Sequence, residues 1–230
     1  RKIFLAGFTQ MRIAIATNFL YPEGLGGTEL YCQQLALALT TLGHDVFWFV
    51  PNFNQAQTIT EQRGERFTIL RFAAVKEGQK PDAAFVITSF INELQHNNIA
   101  VVHFNEFGGM EGINTGMFAA MNKAGVGSVV TLHLVHYICQ TGTVRFGGVM
   151  PCNGEMIPNR CGSCYIFSNA TASGNLNLAA SRLFTGGFHL IDKFNLHLFP
   201  RVKSVMGNFK TKIPFIKAIR EEAGMVVSLT

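Results

Sequence analysis

Apolar positions in this chain fall into short runs separated by amphipathic stretches. The first run, 12–17 (RIAIAT), is too short for a helix and reads as a buried strand. A loop from Asn18 to Gly27 follows, holding Pro22 and three glycines. Across 28–42, Leu35, Leu39 and Leu42 recur at helical spacing, with Thr28 placed to cap the helix and Gly43 to end it. A second apolar run, 44–50, closes a strand–helix–strand unit, whose crossover makes the two strands parallel. The alternation continues, with strands expected over 66–72, 99–104 and 128–133 and helices over 82–96 and 113–124. This order predicts an α/β fold, a Rossmann-like open parallel sheet flanked by helices. The pattern then breaks. Residues 134–168 are rich in Gly and Cys and lack clear periodicity, and so long a stretch inside a domain is usually functional or tied down. Helical spacing returns from about 171 to 222, and 225–229 reads as one more strand.

Composition narrows the function classes. Of 230 residues 48% are hydrophobic and only 14% charged, so the chain can bury a substantial core and disorder is excluded. Sparse charge also suits a chain with a face packed against something else. No window approaches the ~18 apolar residues of a membrane span. Residues 1–10 carry too short an apolar run for a signal peptide. Met11 reads as a natural start, so that segment is either foreign to the natural chain or an upstream strand. The net charge of +5, with Lys and Arg thickening over 201–220, reads as a solvated basic helix, with attraction to anionic lipid or phosphorylated substrates as the functional alternative. No nucleic-acid module is recognisable, and nucleic acid is not an expected partner.

The candidate chemistry starts in the loop at 18–27. In open α/β sheets ligands bind beyond the carboxyl ends of the strands. Gly26 and Gly27 lie there, just before a helix whose free N–H groups favour an anion, and paired glycines let backbone approach a phosphate. Serving the turn alone is the competing role. A dinucleotide fingerprint needs a third glycine at an offset this loop lacks.

The stretch from Met11 to Pro51 resembles the opening of glycosyltransferase family 4, retaining enzymes of the GT-B fold. The pattern is a strand, N-x-x-x-P, a glycine pair with x-E, L-A-x-x-L and G-H-x-V. It is met here by Asn18, Pro22, Gly26–Gly27, Glu29, Leu35–Ala36, Leu39, Gly43–His44 and Val46. The runs IAVVHF (99–104) and VVTLH (129–133) are similar to two later strands of the family. The resemblance covers about 11–165 well and 166–230 loosely.

The resemblance implies roles. Gly26 and Gly27 would line the cleft beside the donor diphosphate. His133 would contact the transferred sugar and is the candidate catalytic residue; a lone histidine satisfied by backbone is the competing reading. Glu29, His103, Asn105 and Glu106 would line the cleft on the acceptor side. The family often has a histidine where this chain has Asn105, and helix-dipole capping alone accounts for Glu29. The implied reaction transfers a sugar from a nucleotide-sugar to an acceptor hydroxyl, with retention and without a catalytic cofactor. Donor binding in the family relies on a second domain with an E-x7-E motif, which this sequence does not contain. Residues 11–230 are therefore expected to be the acceptor-side domain, with the Cys-rich insertion at about 134–168. The nucleotide-sugar domain is expected outside this sequence, and the domain alone is expected to be inactive. A glycan or lipid-linked acceptor, a cytoplasmic location and peripheral contact with the inner membrane face through 203–220 complete the expectation. A basic segment there could equally pack on the sheet.

Four of the five cysteines, Cys139, Cys152, Cys161 and Cys164, follow a C-x12-C-x8-C-x2-C spacing. Four thiolates could hold a structural zinc and order a loop without a core of its own. Disulfides and free thiols are the alternatives, disulfides being disfavoured for a cytosolic chain. Two other functional classes compete with the enzyme. One is a non-catalytic binding or scaffold module of the same fold. The other is a zinc-stabilised regulatory domain with the cysteine loop as its partner surface. A downstream domain with E-x7-E would favour the enzyme.

Overall fold

The computed structural model describes residues 9–24, 26–53, 56–63, 67–75, 82–108, 112–133, 135–168, 174–193 and 212–228. It divides into two units, residues 1–133 with 218–230, and residues 134–217.

In the first unit the apolar runs form β1 (Arg12–Ala16), β2 (Asp45–Asn52), β4 (Phe67–Ala73), β5 (Val101–Phe104), β6 (Gly127–Leu132) and β9 (Met225–Ser228). All pair in parallel. One strand, β3 (Ile59–Arg63), escaped the sequence reading. Its sequence, ITEQR, has one apolar residue, as suits a sheet edge, and it runs antiparallel to β4. The sheet order is β3-β4-β2-β1-β5-β6-β9, so the chain steps to opposite sides of β1 and the order reverses between β1 and β5.

Helix α1 (Gly27–Thr41) buries Cys32 and Ala36 against a cluster with Ile15, Val46, Trp48, Val50 and Ile69. Period-two alternation sends Phe49 and Phe72 to the other face. There Phe90 of α2 (Ala83–His96) meets both, with ring centroids 5.6 and 5.3 Å apart. Phe104 extends this aromatic layer to Phe118 of α3 (Gly116–Ala124) at 4.9 Å. Five phenylalanines thus form one layer joining the sheet to two helices.

Several local expectations shift. The α1 N-cap is Gly26, which offers no side-chain bond, and Thr28 lies inside the helix. Leu42 is 60% exposed, outside the packed face. Gly43 does end the helix, with φ of 91°. Helix α2 is capped by Asp82, which accepts from the Ala84 N–H at 3.1 Å. Helix α3 begins at Gly116, three residues later than expected, where Asn114 Oδ1 accepts from the Gly116 N–H at 3.0 Å. The chain enters β9 through Gly224, where a Cβ would lie 2.8 Å from the Ser128 carbonyl oxygen, so only glycine fits.

In the second unit, the stretch without clear periodicity contains a 3-10 turn (Val135–Tyr137) and a small hairpin of β7 (Arg145–Phe146) with β8 (Met150–Pro151). It also contains α4 (Pro158–Ser168), which carries Cys161 and Cys164 on consecutive turns. Helix α5 (Gly174–Lys193) packs on α4 through Phe184 and Phe167, with centroids 4.9 Å apart. Residues 212–222 are helical, and the basic stretch at 203–211 and residues 1–8 lie outside the described residues. Among the described residues no helix is long and apolar enough to cross a membrane.

Candidate functional site

The strand order reverses between β1 and β5, and open α/β sheets bind ligands beyond the carboxyl ends of the strands at such a point. The loops leaving these strands are stitched together there. The Asn18 N–H donates to Glu106 Oε2 at 3.0 Å, and Asn18 Oδ1 accepts from the Ile113 N–H at 2.9 Å. Asn18 is 5% exposed, and its Nδ2 is buried with no partner among the described residues. A Cβ on Gly112 would collide with its side chain, so glycine gives the second loop room to close on it.

Gly26 and Gly27 behave differently although adjacent. A Cβ on Gly26 would collide with Glu29 Oε2, and one on Gly24 would lie 2.8 Å from Glu29 Oε1. The glycine loop therefore wraps the Glu29 carboxylate, which is buried at 8% exposure. Gly27, the first residue of α1, has nothing within 4 Å of its Cβ position, and its glycine has no steric reason in the protein itself. Burial pushes the Glu106 carboxyl upward, and nearby Glu29 adds to this against the N–H groups of Asn18 and Phe19. The Cys32 thiol below is pushed well above its ordinary range by burial and then by the two carboxylates.

Histidines form the other half. His133 follows β6 directly, and its Nε2 lies 3.0 Å from Asn105 Oδ1. Asn105 Nδ2 donates to the His103 carbonyl oxygen at 3.1 Å. His103 Nε2 is 2.6 Å from Thr131 Oγ1 on the neighbouring strand. Burial, with the His133 charge adding to it, lowers His103 to about 4, and burial also lowers His133. Burial thus disfavours the charged form of both rings. The ring of Tyr31 meets His133 edge-on, centroids 4.8 Å apart, linking α1 to the end of β6.

The fold thus gathers Gly26, Gly27, Glu29, His103, Asn105, Glu106 and His133 at the carboxyl ends of β1, β5 and β6. Sequence reasoning left Tyr31 and Thr131 out. Tyr31 sits four residues after Gly27, one turn along the helix, which was the available signal. The arrangement offers backbone N–H groups for an anion and neutral imidazoles for hydroxyl groups.

The four clustered cysteines lie in the second unit and line one pocket with Arg145, Glu155 and Arg160. All five cysteines are free thiols. Among the described residues no group of three or more His, Cys, Asp or Glu is arranged to hold a metal ion. The sulfur atoms have separate local partners. Cys139 lies 3.1 Å from Thr141 Oγ1, Cys161 is 3.9 Å from the Glu155 carbonyl oxygen, and Cys164 accepts from the Gly147 N–H at 3.2 Å.

The family model of Glycosyltransferase Family 4 matches residues 25–147. No curated protein sequence matches the chain. Among solved structures the chain is similar to sucrose-phosphate synthase from Thermosynechococcus elongatus, with 14% identity and a TM-score of 0.42 over 56% of this chain and 34% of that one. A shorter structure of sucrose-phosphate synthase from the same organism is similar at 13% identity and a TM-score of 0.37, over 53% of this chain and 63% of that one. The chain therefore spans less than two thirds of the length of either structure.

Proposed function

This chain belongs to glycosyltransferase family 4, and from that premise we propose that it supplies the acceptor-side domain of a retaining transferase. The reaction moves a sugar, a hexose in this reading, from a nucleotide-sugar to an acceptor hydroxyl. The observation that carries the reading is the convergence of the matched motif residues at the carboxyl ends of β1, β5 and β6. Gly27, open at the start of α1, receives the donor diphosphate on free N–H groups. His133 contacts the transferred sugar. Glu29, His103, Asn105 and Glu106 shape the acceptor side.

The donor's nucleotide is held by a second domain of the same polypeptide, encoded outside these 230 residues. The acceptor is a glycan or a lipid-linked glycan, reached at the cytoplasmic face of a membrane. The net charge of +5 supports that location through attraction to anionic lipid.

The test uses the complete polypeptide and a panel of nucleotide-sugars, reading release of free nucleotide with membrane-derived or polysaccharide acceptors. Turnover by the complete protein and none by the 230-residue chain is the expected result. Turnover by the 230-residue chain would refute the two-domain reading. Failure of the complete protein to bind or turn over any donor would refute the transferase reading.

A further inference from the structure

Asn105 is 1% exposed and held from three sides. Its N–H donates to the Ala16 carbonyl oxygen at 3.1 Å, its Nδ2 donates to the His103 carbonyl oxygen at 3.1 Å, and its Oδ1 lies 3.0 Å from His133 Nε2. The orientation of this amide follows from chemistry. A backbone carbonyl only accepts, so the amide must turn its NH2 toward His103, which leaves its oxygen facing His133. That oxygen carries no proton, so the hydrogen bond exists only if His133 Nε2 carries one.

We infer that Asn105 is a positioning residue that holds neutral His133 in its Nε2–H tautomer and leaves Nδ1 as the ring's hydrogen-bond acceptor. Among the described residues Nδ1 has no hydrogen-bond partner. A ligand group that meets it must therefore donate, which selects a hydroxyl over a phosphate oxygen. Tyr31, edge-on at 4.8 Å, limits the tilt of the ring. The choice of an amide partner matters. An aspartate here would also accept from Nε2 but would favour the imidazolium, which presents no acceptor at all. The tautomer assignment stands on the hydrogen bonds alone. Its consequence for a sugar hydroxyl rests on the reading of His133 as a sugar contact.

The test is 15N NMR of the 230-residue chain labelled at histidine, with no substrate present, so it is independent of whether the protein is a transferase. His133 is assigned by the signals lost in His133→Gln. The expected spectrum has a protonated-type Nε2, an unprotonated-type Nδ1 and a slowly exchanging Nε2 proton. In Asn105→Ala that proton should exchange at least about tenfold faster, the factor expected for a net loss of about 1.4 kcal/mol from one hydrogen bond. In Asn105→Asp, which keeps the side-chain shape, His133 should titrate about 1 pH unit higher or more. An unprotonated Nε2 in the unmodified chain overturns the inference. So does unchanged exchange in Asn105→Ala or an unmoved titration in Asn105→Asp. If Asn105→Ala does not fold, the unmodified chain and Asn105→Asp decide.

Discussion

Trp48 is the single tryptophan of the chain and is fully buried on the α1 side of the sheet. Its indole N–H donates to Thr17 Oγ1 at 2.7 Å, and that hydroxyl in turn donates to the Phe19 carbonyl oxygen at 2.7 Å. Thr17 is itself fully buried, at the exit of β1 where the glycine loop begins. Thr17→Val keeps the volume and removes the hydroxyl. The indole N–H is then left without a partner in a dry site, at a cost of about 1–3 kcal/mol. The Phe19 carbonyl oxygen loses its donor too. A loss of about 2 kcal/mol follows, which for a chain of this size lowers the melting temperature by roughly 4–8 °C. Thr17→Ser keeps the hydroxyl and loses one methyl, costing about 1 kcal/mol. Urea and thermal unfolding followed by Trp48 fluorescence reports this unit directly, because no other tryptophan contributes. A Val variant as stable as the unmodified chain, or more stable than the Ser variant, would refute the argument.

Gly27→Ala should fold with stability within about 1 kcal/mol of the unmodified chain, since its Cβ meets nothing and alanine suits a helix. In the complete enzyme it should weaken donor binding at least about tenfold by calorimetry, and unchanged binding would place the diphosphate elsewhere. His133→Ala in the complete enzyme should lower kcat by about a hundredfold or more without loss of fold, read by steady-state kinetics beside circular dichroism. His103, lowered to about 4 by burial and by the His133 charge, binds its proton more weakly folded than unfolded. The unfolded chain then takes up more protons as pH falls, so this contribution is intact above about 6.5 and is lost progressively down to about 4. Denaturation at stepped pH should show a decline of about 3 kcal/mol across that window, flattened in His103→Gln. Glu106, raised by burial, acts in the opposite sense in acid. Thiol alkylation followed by mass spectrometry should modify Cys139 first and Cys32 last. Burial raises the Cys139 thiol, but hydrogen bonds from Thr141 and from backbone outweigh it and hold it below its usual value, whereas Cys32 is pushed up by burial and carboxylates. Cys32 reacting before Cys139 would contradict this.

The sequence by itself determined the alternation of strands and helices and the family, because period-two and period-3.6 hydrophobicity and glycine placement are local signals. Runs such as RIAIAT and VVTLH have to be buried, and burial of both faces of a parallel strand leaves little freedom in how to read them. The polar edge strand β3 escaped for the same reason, since an edge needs no continuous apolar run. The residues that bond within the site are separated by up to 95 positions, as Asn18 and Ile113 are, so only the folded sheet brings them together. The sequence also treated Gly26 and Gly27 as one pair. Tertiary packing separated them, putting the Glu29 carboxylate against one and open space beside the other. Spacing marked the four cysteines as a set, but that all four line one pocket with Arg145, Glu155 and Arg160 depends on how the hairpin and α4 pack, which no linear pattern encodes.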